Sequence, residues 1–371
     1  MRRSVFSFVF LAAVLMSLLS GGLAFARPVV SMPGDKVRIS SWIDSRFSKG
    51  AALPFSFALD GVPSSEFMGR WKRSRQVLPS ADPSAVSFRY TWTGSKEGLS
   101  VICDVTGYPE SNLVEWVVRF RNISGNNSGQ ISDVKVADMR MKFPSAGPVS
   151  LHYAEGNKIS RADYAPRTAL LEGDRSVRFE PTGGRSSSEA FPFYNIESKA
   201  SGQGVMMSVG WSGTWFSDFK SVDSKSLDVS AGMPDVYLYL MPEEEIRVPS
   251  VAFLFWSGQQ MDGHNRFRRF LLEHRYRKVH GEQVRNYLSS GFNYRDPQPF
   301  GEYSCITSEW AVAMINRYRM FGLVPDIFWL DAGWHTGASD YQHGQNWAST
   351  TGNWTVDAKR FPQGMKPVSD A

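Results

Sequence analysis

Asp331 and Trp334 are the residues whose types and setting point most directly to chemistry. Asp331 follows the unbroken apolar run Ile327-Phe328-Trp329-Leu330 and precedes Ala332-Gly333-Trp334. Apolar residues without alternation read as a strand buried on both faces, the kind found in parallel sheets. A carboxylate directly after such a strand emerges at its C-terminal end, where barrels and open α/β sheets place their sites. There the oxygens can accept hydroxyl hydrogen bonds while the neighbouring indole covers the apolar face of a sugar ring. The same residues also fit a plainer arrangement, with Asp331 capping the next turn and Trp334 packing on the end of the sheet.

Other candidates carry less. Gly210-Trp211-Ser212-Gly213-Thr214 resembles a nucleophile elbow but lacks the final glycine and sits in strand-rich sequence. His335 and His343 flank Tyr341 at a spacing that matches no zinc or facial-triad pattern, so no metal site is expected. No phosphate-binding or dinucleotide-binding glycine loop is present, and no organic cofactor is expected. Cys103 and Cys305 are too few for a disulfide framework and read as two separate buried thiols. Asn122, Asn126 and Asn353 each begin a glycosylation pattern, which is common by chance in a chain of 371 residues.

The elements that must position Asp331 are a helix and two strands. Thr307 to Phe321 carries Ala311, Met314, Ile315, Tyr318 and Phe321 on one face. Thr307 is its expected N-cap and Gly322 its stop, with Pro325 barring continuation. Gly291 to Ser304 can supply a strand before it, which gives a β–α–β unit. Upstream, Lys36 to Phe255 reads as short strands without a long helix. Ser87–Trp92, Leu99–Val105, Leu113–Phe120, Asp133–Phe143 and Asp235–Leu240 are the clearest, and Thr106–Asn112 is a run of turn formers. That pattern predicts a large antiparallel β-sandwich. His264 to Arg277 is expected to be an amphipathic helix, with Phe267, Phe270 and Leu271 at i, i+3 and i+4.

Residues 1–26 read as an export signal: Arg2 and Arg3, an apolar stretch from Val5 to Leu19, and Ala24-Phe25-Ala26 before the cut. The apolar stretch is short for a membrane span, which needs roughly 20 residues. The expected mature protein is secreted or periplasmic, with no membrane association after cleavage. Loss of the two arginines takes the net charge from +5 to +3. That charge is dispersed, and the basic stretch Arg266 to Arg285 fits the solvated face of a packed helix, so nucleic acid is not an expected partner.

Trp329-Leu330-Asp331-Ala332-Gly333-Trp334, then Gly352-Asn353-Trp354-Thr355-Val356-Asp357, then Arg360-Phe361-Pro362-Gln363-Gly364 together resemble glycoside hydrolase family 36, the melibiase-type α-galactosidases. The family shows D-D-G-W after its second barrel strand, then G-D-W, then K-F-P-x-G-L. Phe193–Glu197, Gly210–Trp215 and His264–Phe270 resemble signatures of its amino-terminal domain and linker. The resemblance implies a β-supersandwich (27–262), a helical linker (263–290) and the first strands of a (β/α)₈ barrel (291–371). A complete barrel needs around 250 residues, so the barrel is expected to be incomplete.

The resemblance further implies a retaining hydrolase of terminal α-galactosides on oligosaccharides or glycoconjugates. Both catalytic aspartates, nucleophile and acid/base, are expected beyond residue 371, so this chain alone is expected to be inactive. Asp331 would hold galactose hydroxyls, Trp334 would flank the site and Trp354 would pack near its mouth. Ala332 stands where the family has a second aspartate, which leaves an α-N-acetylgalactosaminidase open. A raffinose-type transglycosylase and a non-catalytic carbohydrate-binding sandwich also stay open. Family members often form homo-oligomers, and that remains open for this chain.

Overall fold

The computed structural model describes residues 27–34, 38–80, 82–292, 306–330, 334–336 and 352–371. The chain divides into two compact units at Arg275/Tyr276.

The first unit is built from two sheets, antiparallel except where Val29–Ser31 pairs in parallel with Ile131–Lys142. One, of eight strands, runs Ser176–Phe179, Phe216–Asp223, Ser226–Gly232, Ile131–Lys142, Ser56–Leu59 and Val62–Pro63, with Val29–Ser31 and Tyr237–Leu238 also paired to Ile131–Lys142. The other has nine strands in the order Pro166–Leu171, Val149–Glu155, Ala190–Ser198, Gln203–Gly210, Glu245–Ser257, Leu113–Asn122, Leu99–Tyr108, Val86–Gly94 and Lys72–Leu78. Period-two alternation explains the pairing. In Val86–Gly94 the side chains of Phe88, Tyr90 and Trp92 are buried while their neighbours are half exposed. One buried cluster draws on both sheets, as in the edge-on rings of Phe57 and Phe120, 4.8 Å apart. The β-sandwich expected from the sequence is therefore present.

Two local expectations need correction. A helix, α1 (Ile39–Phe47), lies within the stretch expected to hold only strands, and it buries Ile39, Trp42, Ile43 and Phe47. The predicted turn Thr106–Asn112 also begins too early. The strand runs on to Tyr108, and the turn is Pro109–Asn112, with Asn112 at φ 51°. Gly107 pairs with Val86 on one side and Val114 on the other, and α1 crosses over it. A Cβ there would stand 2.4 Å from Ile39 Cγ2 and 2.9 Å from Ile43 Cδ1. The absent side chain leaves room for the helix.

A second helix, α2 (Gln260–Phe270), packs on the outer face of the nine-stranded sheet and continues as a π turn, Leu271–Arg275. It starts four residues before the expected His264 because Gln259 and Asp262 form a capping box. Phe267 and Phe270 join Tyr108, Leu254 and Trp256 in a separate buried cluster. Trp256 is held in place, since its Nε1–H donates to Asn195 Oδ1 at 2.9 Å while Asn195 Nδ2 donates to the Gln260 carbonyl at 3.1 Å.

Gly263 lets the helix seat. A Cβ on it would meet Trp256 Nε1 at 2.6 Å and Cδ1 at 2.8 Å. Glycine to alanine in a helix ordinarily gains about 1 kcal/mol. Here the clash with an indole that cannot shift is the larger effect. Gly263→Ala is expected to destabilise the protein by about 1–2 kcal/mol, read as a lower urea midpoint. A raised midpoint would show that α2 does not depend on this close approach.

The second unit holds one β–α–β arrangement. Ser289–Phe292 pairs in parallel with Ile327–Leu330 across α3 (Ser308–Met320). Thr307 caps α3 as expected, its side chain accepting the Trp310 N–H at 3.2 Å, and Gly322 ends it at φ 66°. The face expected on this helix is only partly covered. Ala311 is buried, whereas Phe321 is 67% exposed. The strand Ile327–Leu330 likewise leaves Ile327 and Trp329 exposed rather than burying both faces. Among the described residues its sheet has two strands.

Candidate functional site

Of the three residues singled out for sugar binding, Asp331 lies outside the described residues. Trp334 and Trp354 are described, and the structure brings them together. Their rings stack with centroids 5.9 Å apart and planes 24° from parallel. Trp334 is half-buried and Trp354 is 73% exposed.

Backbone pairing explains how residues 20 positions apart meet. His335 and Val356 form an isolated antiparallel bridge. Beside it, the Thr336 N–H donates to the Thr355 carbonyl and the Asp357 N–H to the Trp334 carbonyl, both at 2.9 Å. Asn353 closes the far side, with Nδ2 donating to Thr336 Oγ1 at 2.6 Å and Oδ1 accepting the Thr355 N–H at 3.1 Å.

Asp357 fixes the following turn. It is buried, and Oδ1 accepts the Lys359 N–H at 2.9 Å and the Arg360 N–H at 3.4 Å. The Arg360 carbonyl in turn accepts the Ser308 N–H at 3.0 Å, which ties this turn to the start of α3. Phe361, Ile306 and Ala311 are buried. The sequence offered Asn353 as a glycosylation pattern and Asp357 as part of a motif, but neither as a residue that shapes the site. Their signal was the local one of an Asx residue bonding backbone two positions on.

His335 is buried and stands edge-on to Trp334 at 5.7 Å. His343 lies outside the described residues, as does Cys305. Among the described residues no group of three or more His, Cys, Asp or Glu side chains could hold a metal ion. Cys103 is fully buried, and burial pushes its thiol well above the ordinary range, with Asp104 adding to the effect. Of the three glycosylation patterns, Asn122 is buried with its amide donated to the Asn126 and Leu240 carbonyls, whereas Asn126 and Asn353 are exposed. No described helix is long and apolar enough to cross a membrane.

What this arrangement offers chemically is an indole surface open to solvent and held from behind, suited to an apolar face of a ligand. No family model and no curated protein matches the sequence. Solved structures do match in three dimensions. The α-galactosidase AgaA of Geobacillus stearothermophilus, of glycoside hydrolase family 36, superposes with a TM-score of 0.62 at 17% identity, over 86% of this chain and 44% of that one. The galactosidase domain of the α-galactosidase-sucrose kinase AgaSK gives 0.63 at 16% identity, over 86% and 44%. The α-galactosidase of Lactobacillus brevis gives 0.59 at 16% identity, over 86% and 42%. The chain thus spans less than half the length of the enzymes it matches. Over 86% of its own length, it shares the fold of the family 36 α-galactosidases.

Proposed function

We propose that this chain is part of an exported retaining glycosidase that acts on terminal α-galactosides. The observation that carries the reading is the stacked, solvent-facing pair Trp334 and Trp354, set in a chain whose fold matches α-galactosidases. Crystals of AgaA variants have held stachyose and raffinose, which supports an oligosaccharide ligand. In this reading the exposed indole surface receives the C–H face of the terminal hexose and Asp331 accepts hydrogen bonds from its hydroxyls.

The retaining route needs two carboxyl groups about 5–5.5 Å apart, one to attack the anomeric carbon and one to protonate the leaving oxygen. Neither role is assigned to a residue of this chain. Export rests on the sequence of residues 1–26, where Arg2 and Arg3 precede an apolar stretch and Ala24-Phe25-Ala26 precedes the proposed cut.

The test is calorimetric titration of methyl α-galactoside and its 2-acetamido analogue into purified residues 27–371, with an aryl α-galactoside assayed alongside. Binding with a Kd of about 1 mM, equivalent to roughly 4 kcal/mol, is expected without turnover. Absence of binding by either sugar would sink the reading. Stoichiometric turnover would place the nucleophile inside this chain, and tighter binding of the acetamido sugar would shift the substrate class to N-acetylgalactosaminides.

A further inference from the structure

A cleft in the first unit holds more positive charge than its own carboxylates balance. Its volume is about 530 Å³, within the roughly 300–1,000 Å³ of small-molecule sites. Leu53, Phe55, Phe57, Met68, Trp71 and Trp92 give it apolar walls. Four cations also line it, Arg27, Lys49, Arg73 and Lys135, against two carboxylates, Asp133 and Asp138. Both carboxylates are taken: Arg27 bonds Asp138 at 2.7 Å and Lys135 bonds Asp133 at 2.9 Å. That leaves Lys49 and Arg73, and among the described residues no carboxylate forms an ion pair with either.

Arg73 is the more informative of the two. It stands in the edge strand Lys72–Leu78 with its guanidinium over the Tyr90 ring at 4.8 Å, and it donates to the Phe47 carbonyl at the end of α1. That bond uses one of five donors. Its Nε–H is buried without a partner, and burial pulls the guanidinium below its ordinary pKa. Asp44, on α1, pairs instead with Arg75 at 3.5 Å. Trp71, in the wall of the same cleft, is 8% exposed, and its Nε1–H is likewise buried without a partner. A partly desolvated cation with no counter-ion costs free energy, and an arriving anion recovers that cost.

We propose that this cleft binds a small amphiphilic anion, its apolar body against the aromatic walls and its single carboxylate, sulfate or sulfonate head at Arg73, with Lys49 adding positive charge at the rim. The two halves of the ligand follow from separate observations. An inorganic anion would leave the apolar walls wet, and an uncharged apolar molecule would leave Arg73 without its counter-ion. The site involves neither Trp334 nor Trp354 and does not rest on the sugar-binding reading.

The test titrates anilinonaphthalenesulfonate into the full chain, followed by fluorescence. Phenylnaphthylamine, which has the same rings without the sulfonate, is titrated in parallel. The sulfonate is expected to bind with a Kd of about 10–100 μM, the range for a ligand of its size. Raising the salt from about 0.05 to 0.5 M is expected to weaken it roughly threefold and to leave the uncharged probe unchanged. Arg73→Gln is expected to weaken the sulfonate by about tenfold, the worth of a charge-assisted bond. Lys49→Glu is expected to weaken it by about threefold. Thermal unfolding checks each variant, and because Lys49 is exposed its variant still decides the matter if Arg73→Gln loosens the end of α1. Displacement of the probe by naphthoate alone would give the ligand an aryl body, and displacement by dodecanoate an alkyl one.

Equal affinity for the charged and uncharged probes would overturn the proposal. So would sulfonate binding that neither Lys49→Glu nor Arg73→Gln weakens, because the probe would then be held by apolar surface elsewhere. Failure of naphthoate and dodecanoate alike to displace the probe would overturn it too.

Discussion

Trp116→Ala is expected to lower the stability of the first unit by about 3–5 kcal/mol, the range for truncating a large buried aromatic. Against the roughly 5–15 kcal/mol typical of folded domains, that is a large fraction of the total. The reason is where the indole sits. Trp116 is 1% exposed and stacks on Phe253 at 5.2 Å and on Trp42 at 6.2 Å, with Phe47 edge-on at 5.9 Å. Phe253 belongs to its own sheet, while Trp42 and Phe47 belong to α1. Its Nε1–H crosses to the other sheet and donates to the Val136 carbonyl at 2.8 Å.

One side chain therefore joins both sheets and the helix between them, and no smaller residue can fill that volume. Trp116→Phe separates the two contributions. It keeps a ring in contact with Phe253 and Trp42 but gives up the bond to Val136, which is expected to cost about 1–3 kcal/mol. The check is urea unfolding followed by far-ultraviolet circular dichroism on the full chain, comparing midpoints and slopes. A loss under about 1 kcal/mol for Trp116→Ala would mean that the junction relaxes around the gap, and that α1 is not fastened through this residue.

How far such features could be read from the sequence depended on the range of the interactions that produce them. Ser87–Trp92 was legible from alternation, a local consequence of a sheet with a buried face, and Leu99–Val105 and Leu113–Phe120 from their β-branched and aromatic residues; all three lie inside observed strands. Thr307 and Gly322 were legible because helix ends are chosen by local backbone chemistry. α1 was missed although Ile39, Trp42, Ile43 and Phe47 fall at i, i+3, i+4 and i+8. Nine residues with serines between them give a short signal, and its burial is supplied by sheets far along the chain.

Ser226–Gly232 failed for the opposite reason. It is buried at every position, so its serines and Asp228 hide the strand from any count of apolar residues. Asp235–Leu240 shrank to a two-residue strand, Tyr237–Leu238, after a left-handed Asp235 at φ 50°. At the candidate site, the sequence supplied Trp334 and Trp354 as separate residues. Their stacking depends on the bridge between His335 and Val356, a pairing with no periodic signature.

Asp228→Ala is expected to destabilise the protein by about 2–3 kcal/mol near neutral pH, toward the lower end for breaking a buried ion pair because its partners are partly solvated. Asp228 is 8% exposed, yet it stands in a strand with no open face. Arg140 bonds it in a bidentate manner at 2.7 and 3.0 Å, and Arg27 reaches it at 3.0 Å. Burial by itself would push its carboxyl up, but the bonds from Arg140 and the charge of Arg27 outweigh that and hold it below the usual carboxylate range.

The sign of the pH dependence follows from that balance. A carboxyl whose pKa is lower folded than unfolded contributes fully above the unfolded value, near about 4, and the contribution disappears as pH falls through the folded value. Asp104, bonded by Arg89 at 2.6 and 2.8 Å and by Arg119 at 2.5 Å, is depressed against burial in the same way and adds to the same limb. Asp228→Asn keeps the shape and an acceptor but cannot titrate. Its unfolding free energy should therefore lie below wild type at about pH 6 and converge on it below about pH 4, measured by urea midpoints across that range. Parallel wild-type and Asp228→Asn curves down to the lowest pH would mean that the arginines do not stabilise the ionised form, and that Asp228 is tolerated in this strand for its shape alone.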